Sequence, residues 1–155
     1  MIMDTDLYKV DISFEVNPHW KSIPPLTKIT LDSELIWNGS LEDVESFEIS
    51  RYLEKGDHAL AIEMYDKPDL DGDQGLEISN LRLGGIYNRS FVWQGVYCPR
   101  YPEPWASQQR ELGIDLHPEL RNTDYLGWNG IWRLDFTVPI FTWIHRIENL
   151  GWIYH

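Results

Sequence analysis

A short stretch of this sequence places carboxylates at alternate positions. Asp69, Asp71 and Asp73 stand in a segment punctuated by Gly72 and Gly75. Hard cations such as Ca²⁺ need several oxygen ligands at short range, and a tight loop of alternating carboxylates supplies them. The spacing is not that of an EF-hand, because the glycine comes early and no glutamate closes the loop. Two interpretations stay open: a calcium site, and a solvated turn in which Asp and Gly simply favour turn conformations.

This acidic loop (residues 66–75) joins two segments that have the pattern of half-buried strands. Apolar and polar residues alternate over residues 58–65, and an apolar rhythm resumes over 76–83 up to a turn at Gly84–Gly85. Asp66 and Glu77 lie near the two ends of the loop, where their oxygens could join those of the central aspartates. The candidate calcium ligands are therefore Asp66, Asp69, Asp71, Asp73 and Glu77.

The chain is also rich in aromatic residues, with 8 Trp among its 155 residues. Planar rings exposed at a rim can stack on sugars, whereas the same residues in a core or a subunit interface bury large apolar areas. Strand positions favour the core for Trp93 and Trp132, and both interpretations stay open for Trp105 and Trp128. The candidate residues for binding a ligand or a partner are Tyr87, Tyr101, Trp105, Trp128, Trp143, Trp152 and Tyr154.

No arrangement typical of catalysis stands out in the sequence. The five histidines lack metal-ligand spacing such as H-x-H or H-x-x-x-H, and no serine lies in a G-x-S-x-G context. Cys98 follows an aromatic stretch and precedes Pro99, which favours a small buried apolar residue over a nucleophile. The sequence therefore predicts a protein that is not an enzyme.

Charge narrows the range of partners. The chain carries 25 acidic and 13 basic residues, a net charge of −12. Phosphate backbones and anionic membranes are bound by clusters of Lys and Arg, so this charge argues against nucleic acid and against a membrane surface. It is compatible with a cation or with a neutral polyol. Neither a signal-peptide pattern nor a stretch long enough for membrane insertion is found, so we expect a protein that is soluble as made.

Strand patterns dominate the chain and predict its fold. Clear period-2 alternation covers residues 8–16 and 131–138. Glycine, proline and asparagine turns separate the segments, and the Asn38–Gly39 pair favours a hairpin turn. Many short strands with regular turns predict an all-β fold, a β-sandwich or jelly roll, built as a single domain over residues 1–155.

The second half of the chain departs from simple alternation. Residues 91–98 are compatible with a further strand. The proline-rich segment 99–120 is expected to be a long ordered loop excursion, with at most one short helix at 106–112. Apolar residues crowd the segment 140–154, which must bury itself against this domain or against a neighbour.

Residues 58–86 resemble calcium-dependent carbohydrate-binding modules of the xylan-binding type. In that family a strand ending near Tyr-Asp precedes an acidic loop and a strand that ends in a glycine-containing turn. The matching residues here are Tyr65–Asp66, the cluster 69–73, and 76–85. The resemblance implies a β-sandwich that binds glycans, with calcium held by the acidic loop.

The C-terminal half is similar to small uncharacterised proteins of tailed phages that infect cyanobacteria. The similarity rests on YLGWNGIWRLDFTVP at residues 125–139 and ENLGWIY at residues 148–154. It implies a virion or virion-associated protein, a setting in which β-sandwiches serve as decorations, fibres and adhesins.

These observations combine into one leading hypothesis and two alternatives. The leading hypothesis is a non-catalytic virion protein that assembles with other virion proteins or with itself, or contacts a glycan, after a soluble stage in the host cytoplasm. The first alternative is a free calcium-dependent carbohydrate-binding module. The second is a hydrolase or lyase of jelly-roll type, which would show a catalytic carboxylate pair or a metal–histidine cluster inside one cleft.

Overall fold

Alternating apolar residues build the strands of this chain, because one face of each strand is buried between two sheets. The computed structural model describes residues 7–67 and 74–148. Outside these residues lie the predictions for Asp69, Asp71, Asp73, Trp152 and Tyr154.

The strands are β1 (Leu7–His19), β2 (Leu26–Leu31), β3 (Glu34–Ser40), β4 (Glu45–Glu54), β5 (Gly56–Tyr65), β6 (Gly75–Leu83), β7 (Ile86–Tyr87), β8 (Val96–Pro99), β9 (Leu120–Arg121), β10 (Tyr125–Leu126) and β11 (Gly130–Val138). The helices are a 3-10 helix (Arg89–Gln94), α1 (Trp105–Glu111) and α2 (Ile140–Glu148).

The strands form two antiparallel sheets, which confirms the predicted β-sandwich. The first sheet has the order β10-β6-β1-β4, with β7 also paired to β6, and the second has the order β3-β2-β5-β11-β8-β9. In the first sheet β1 pairs with β4 on one side and with β6 on the other. In the second, β5 lies between β2 and β11. Strands that are distant in sequence are thus side by side, and the loops between them gather at the ends of the sandwich.

The core lies between the two sheets and follows the predicted alternation. On β1 the inward residues Val10, Ile12, Phe14 and Val16 are all buried. Trp132 on β11 is fully buried, as its strand position predicted. Its indole packs so closely that a Cβ on Gly95 would come within 2.3 Å of the ring. Interiors packed at this density leave no room for an added methyl group.

The turns show which residues adopt the left-handed backbone conformation. Asp32 and Ser33 connect β2 and β3 with φ values of 51° and 71°, and Gly84–Gly85 connects β6 and β7 with φ values of 59° and 80°. Two successive positive φ values match the twist of a two-residue hairpin. The predicted turn at Asn38–Gly39 is wrong. Both residues continue β3, and the Asn38 carbonyl oxygen Oδ1 accepts a hydrogen bond from the Tyr65 hydroxyl at 2.5 Å.

Helical structure is more extensive than the single short helix expected. The predicted helix at 106–112 is present as α1, shifted by one residue. The second helix, α2, begins directly after Pro139, whose carbonyl oxygen accepts a hydrogen bond from Trp143 N at 3.3 Å. It buries Ile140, Trp143 and Ile144, which recur at helical spacing and cover the open edge of the core. Among the described residues, neither helix combines the length and apolar character needed to cross a membrane.

The strand expected at 91–98 is present only from Val96 onward, as β8. This difference changes the exposure of Trp93 and Cys98 from what the sequence predicted. Residues 89–94 form the 3-10 helix, which begins where the Asn88 side chain accepts a hydrogen bond from Ser90 N. This helix turns Trp93 outward, so its ring is exposed and lies under the Arg89 guanidinium. Cys98 is also exposed, contrary to expectation, because its neighbour Tyr97 takes the inward position on β8.

Trp143 was expected to bind a ligand or a partner, and the structure corrects this. Its side chain is buried on α2, with ring contacts to Phe91 and Phe136. Helical spacing turns this residue toward the sandwich, where its apolar area is more stable than in solvent. Trp143 therefore belongs to the core.

A histidine links two hairpins at one end of the sandwich. His58 Nδ1 lies 2.5 Å from Asp32 Oδ2, and His58 Nε2 lies 2.7 Å from the Glu54 carbonyl oxygen. Two acceptors around one ring favour the doubly protonated imidazolium. Partial burial lowers the pKa of His58, but the hydrogen bonds to Asp32 and Glu54 and the charges of Asp32 and Asp57 outweigh it, so the pKa is raised.

This arrangement predicts a pH-dependent stability. Because the folded-state pKa of His58 is raised, its contribution is fully present below the unfolded value of about 6.5 and is lost as pH rises through the folded value. We expect wild type to exceed His58→Gln in free energy of unfolding by on the order of 1 kcal/mol at about pH 6, and by less at about pH 9. Urea denaturation across this range measures the difference. A difference that is constant with pH would contradict the assignment.

Candidate functional site

Three aromatic side chains from separate segments meet at one end of the sandwich. Tyr101 follows β8, Trp105 begins α1, and Trp128 lies in the turn between β10 and β11. The ring centroids of Trp105 and Trp128 are 4.8 Å apart, and Tyr101 lies 5.7 Å from Trp128 and 6.2 Å from Trp105. All three are partly exposed. We call these residues the aromatic cluster; it unites three of the predicted binding residues.

Hydrogen bonds in the excursion hold the first two rings in place. Glu103 Oε1 accepts from the backbone nitrogen and the hydroxyl of Ser107, at 2.9 and 2.8 Å, and so caps the start of α1. These bonds lower the pKa of the Glu103 carboxyl. The Tyr101 hydroxyl donates to the His117 carbonyl oxygen at 2.8 Å, and burial raises its pKa. The proline-rich excursion is thus an ordered platform for Tyr101 and Trp105, as the sequence predicted.

A buried tyrosine fixes the turn that carries Trp128. The Tyr97 hydroxyl accepts a hydrogen bond from Trp128 N at 2.9 Å and donates to the Trp128 carbonyl oxygen at 2.5 Å. Burial raises the pKa of Tyr97 far above its ordinary value, although the hydrogen bond that its oxygen accepts from Trp128 N opposes this. The hydroxyl therefore stays protonated and serves both backbone groups of Trp128.

Lys67 connects the aromatic cluster to the start of the acidic loop. Its side chain is buried, and Nζ donates to the Gly127 carbonyl oxygen at 2.7 Å and lies 5.1 Å from the Trp128 ring centroid. Its backbone nitrogen donates to Asn129 Oδ1 at 2.8 Å, and Asn129 Nδ2 donates back to the Lys67 carbonyl oxygen at 3.2 Å. The acidic loop thus leaves the sandwich from a residue held against the turn that carries Trp128.

The other end of the acidic loop is fixed as well. Gln74 is buried, and its Nε2 donates to the Ile23 carbonyl oxygen at 2.7 Å. The Tyr125 ring covers Gly75, where a Cβ would lie 1.9 Å from the Tyr125 hydroxyl oxygen. The His19 ring lies 5.7 Å from Tyr125. Aromatic rings therefore flank both attachments of the loop.

Two of the predicted calcium ligands fall within the described residues. Asp66 is exposed, with a φ of 54°. Glu77 Oε1 lies 3.3 Å from His19 Nε2. Within residues 7–67 and 74–148, no group of three or more His, Cys, Asp or Glu side chains is arranged to hold a metal ion. The calcium site stays a prediction that depends on Asp69, Asp71 and Asp73, which lie outside those residues.

Tyr87 lies apart from the aromatic cluster, and two other residues were missed. Tyr87 is exposed on β7, with the Arg82 guanidinium 5.5 Å from its ring centroid. Lys67 carries no sequence signal for burial, because a lysine beside a loop is ordinarily exposed. For Tyr125 the available sequence signal was its position immediately before Leu126, in a segment that contains Gly and Trp. Its contact with Gly75 depends on the pairing of β10 with β6.

The two antiparallel sheets place this chain among the β-sandwich proteins. No family model matches the sequence, and no curated protein matches it. Among solved structures, the selenomethionine form of vCBM60 superimposes with a TM-score of 0.52 at 9% sequence identity, covering 81% of this chain and 89% of that one. It was described in work on circular permutation between two families of calcium-dependent carbohydrate-binding modules. vCBM60 in complex with galactobiose gives a TM-score of 0.49 at 7% identity, covering 80% of this chain and 96% of that one. At these identities the likeness shows the fold alone.

Proposed function

We propose that this chain is a non-catalytic carbohydrate-binding module that holds a glycan at the end of the sandwich carrying the aromatic cluster. The observation that carries the proposal is the convergence of Tyr101, Trp105 and Trp128 beside Lys67, where the acidic loop begins. Partly exposed aromatic rings offer apolar faces to the C–H faces of sugars, and they usually occur with a few well-placed polar groups in ligand sites. The carbohydrate-binding fold supports the same conclusion.

The finer part of the proposal is that glycan binding depends on calcium. Asp69, Asp71 and Asp73 would supply oxygen ligands, with Asp66 and Glu77 near the two ends of the loop. The buried anchors Lys67 and Gln74 fix where the loop leaves and rejoins the sandwich. Fixed ends reduce the conformational entropy that cation binding must overcome. The net charge of −12 also favours a cation over an anion.

Titration calorimetry with oligosaccharides derived from xylan and galactan tests the proposal. We expect saturable binding at the aromatic cluster in excess calcium and loss of that binding in chelator. Trp105→Ala should weaken binding at least tenfold, about 1.4 kcal/mol, because one ring of the aromatic cluster is removed. The melting temperature of wild type should also fall in chelator, since a cation bound to the folded state raises stability.

A matched control separates the site from general effects of losing a tryptophan. Trp93 is also partly exposed, but it lies on the 3-10 helix, where its ring contacts Arg89. Trp93→Ala should bind the same oligosaccharides at the aromatic cluster with the affinity of wild type. Equal losses in both variants would contradict the placement of the site. Equal binding and equal melting in calcium and in chelator would contradict the calcium requirement.

The same proposal places the module in a tailed-phage particle, as a decoration, tail or adhesin component. Its support is the sequence similarity of residues 125–139 and 148–154 to small phage proteins. The first of these segments contains β10, the Trp128 turn and β11, so the similarity spans part of the candidate site. An antibody against the chain should label purified particles of a phage that encodes it. Finding the chain in the lysate and not in the particles would contradict this placement.

A further inference from the structure

The edge of β6 carries a gap that neither neighbouring strand fills. β10 pairs with Leu76 and Glu77, and β7 pairs with Arg82 and Leu83. Between these ladders, Ile78 N donates to the Asp124 carbonyl oxygen at 2.8 Å, and no described strand pairs with residues 79–81 on this edge. An open strand edge presents backbone groups that pair with water or with a ligand.

A β-bulge in the same segment gives the gap its shape. Ser13 pairs with Arg82 and Glu15 pairs with Ser79, so three steps along β6 face two along β1. The extra residue is accommodated at Asn80, which has a φ of 53° and donates from Nδ2 to Glu15 Oε2 at 3.0 Å. Bulges bend a strand and redirect its side chains, and they are over-represented at sheet edges and beside functional sites.

The gap opens into a cavity of about 230 Å³, which we call the edge notch. Ile78, Leu81 and Val92 border the notch, and their side chains are buried in the core beneath it. The polar lining is provided by Glu77, Ser79, Asn88, Arg89 and Asp124, and the partly exposed ring of Tyr87 lies at the side. A concave site with several polar groups around an aromatic ring can hold a polar ligand.

Several of these polar groups are available to a ligand. Within the part of the chain that the structure describes, the Asp124 carboxylate and the Ser79 hydroxyl make no hydrogen bond. Among the described residues, the Arg89 guanidinium makes no hydrogen bond or ion pair and lies 5.6 Å from the Trp93 ring centroid. By contrast, the Asn88 side chain already has partners, because its oxygen caps the 3-10 helix and its nitrogen donates to Glu148 Oε2 at 2.7 Å. The notch therefore offers an acceptor, a donor and a hydroxyl around one ring face.

We propose that the edge notch is a second binding site for one unit of a neutral saccharide, separate from the aromatic cluster. Sugar hydroxyls both donate and accept, so they can pair with the Asp124 carboxylate and with the Arg89 guanidinium at once. The Tyr87 ring has the Arg82 guanidinium 5.5 Å from its centroid but is 46% exposed, which leaves ring surface for stacking. An anionic ligand is disfavoured by Glu77, Asp124 and the overall charge of −12. The notch shares Glu77 with the candidate calcium ligands, but none of its lining residues belongs to the aromatic cluster.

Amide chemical-shift titration of ¹⁵N-labelled protein with a panel of neutral disaccharides (xylobiose, galactobiose, cellobiose and mannobiose) tests the inference. We expect saturable shifts at the amides of Ser79, Leu81 and Arg89, and we expect them to persist in Trp105→Ala. Asp124→Asn and Tyr87→Ala should each weaken this binding at least about tenfold. Tyr52→Ala, which removes an exposed ring on β4, should bind as wild type does.

The other outcomes each decide against the inference. Shifts confined to residues around the aromatic cluster would overturn the notch and support the proposed function. Notch shifts that vanish in Trp105→Ala would make the two regions one site. The saccharide assignment would be overturned if no disaccharide shifted the notch amides. It would also be overturned if free glycine or free lysine, added as the ligand in place of a disaccharide, produced saturable shifts there. Release of new reducing ends during the titration would overturn a purely binding role and favour a hydrolase.

Discussion

Replacing Gly130 with alanine should destabilise the sandwich by about 3–5 kcal/mol, the largest effect expected from a single methyl group in this chain. Gly130 begins β11 with a φ of 156°, a conformation that side chains rarely adopt. A Cβ there would also lie 2.4 Å from the Cys98 carbonyl oxygen and 2.8 Å from Pro99 Cα. Both neighbours are backbone atoms, so β8 would have to move away from β11. Urea denaturation measures the loss of free energy of unfolding.

Gly56 provides a matched control for the backbone conformation. It begins β5 with a φ of 128°, and a Cβ there would have no neighbour within 4 Å. Gly56→Ala should therefore cost only the conformational strain, about 1–2 kcal/mol. Losses of equal size in the two variants would show that crowding against β8 contributes nothing. A stable Gly130→Ala protein would contradict the register of β8 and β11.

Replacing Asn129 with alanine should produce the second large effect, about 2–3 kcal/mol, and should also weaken glycan binding. The Asn129 amide serves both backbone groups of Lys67, and its removal leaves a nitrogen and an oxygen without these partners. Asn129 also follows Trp128 directly, so the aromatic cluster and the start of the acidic loop should loosen together. Thermal unfolding and oligosaccharide titration of the same variant measure the two losses.

The conservative variant Asn129→Asp distinguishes the two hydrogen bonds. It keeps an acceptor for the Lys67 backbone nitrogen and removes the donor to the Lys67 carbonyl oxygen, so its loss should be smaller than that of alanine. If Asn129→Ala melts as wild type does, the side chain does not hold the loop. If it melts lower but binds oligosaccharide unchanged, the loop anchor and the glycan site are independent.

Most of the fold could be predicted because its information is local. Alternation over residues 8–16 and 131–138 identified two long strands, and both appear with the expected inward faces. Helix α2 was missed even though Ile140, Trp143 and Ile144 recur at helical spacing. The helical spacing was not recognisable in the sequence, because neighbouring residues such as Phe141 are apolar as well.

The candidate site was harder to predict because it is assembled by tertiary contacts. Trp105 and Trp128 were each open to two interpretations, and only the arrangement of β8, α1 and β11 brings their rings together. Trp143 shows the opposite case, because this tryptophan is buried in the core and is not available to a ligand. The burial of Lys67 depends on partners about sixty positions away in the chain. No local pattern carries that information.

The two buried anchors of the acidic loop, Lys67 and Gln74, also matter for protein engineering. Lys67 is bonded to Gly127 and Asn129, and Gln74 to Ile23, all of them groups of the sandwich. The six positions between them are bounded by residues that the sandwich holds, so we expect their sequence to be exchangeable with little change to the scaffold. Libraries randomised only at residues 68–73 should therefore yield folded proteins with new cation or ligand preferences, screened beside an unchanged trio of rings.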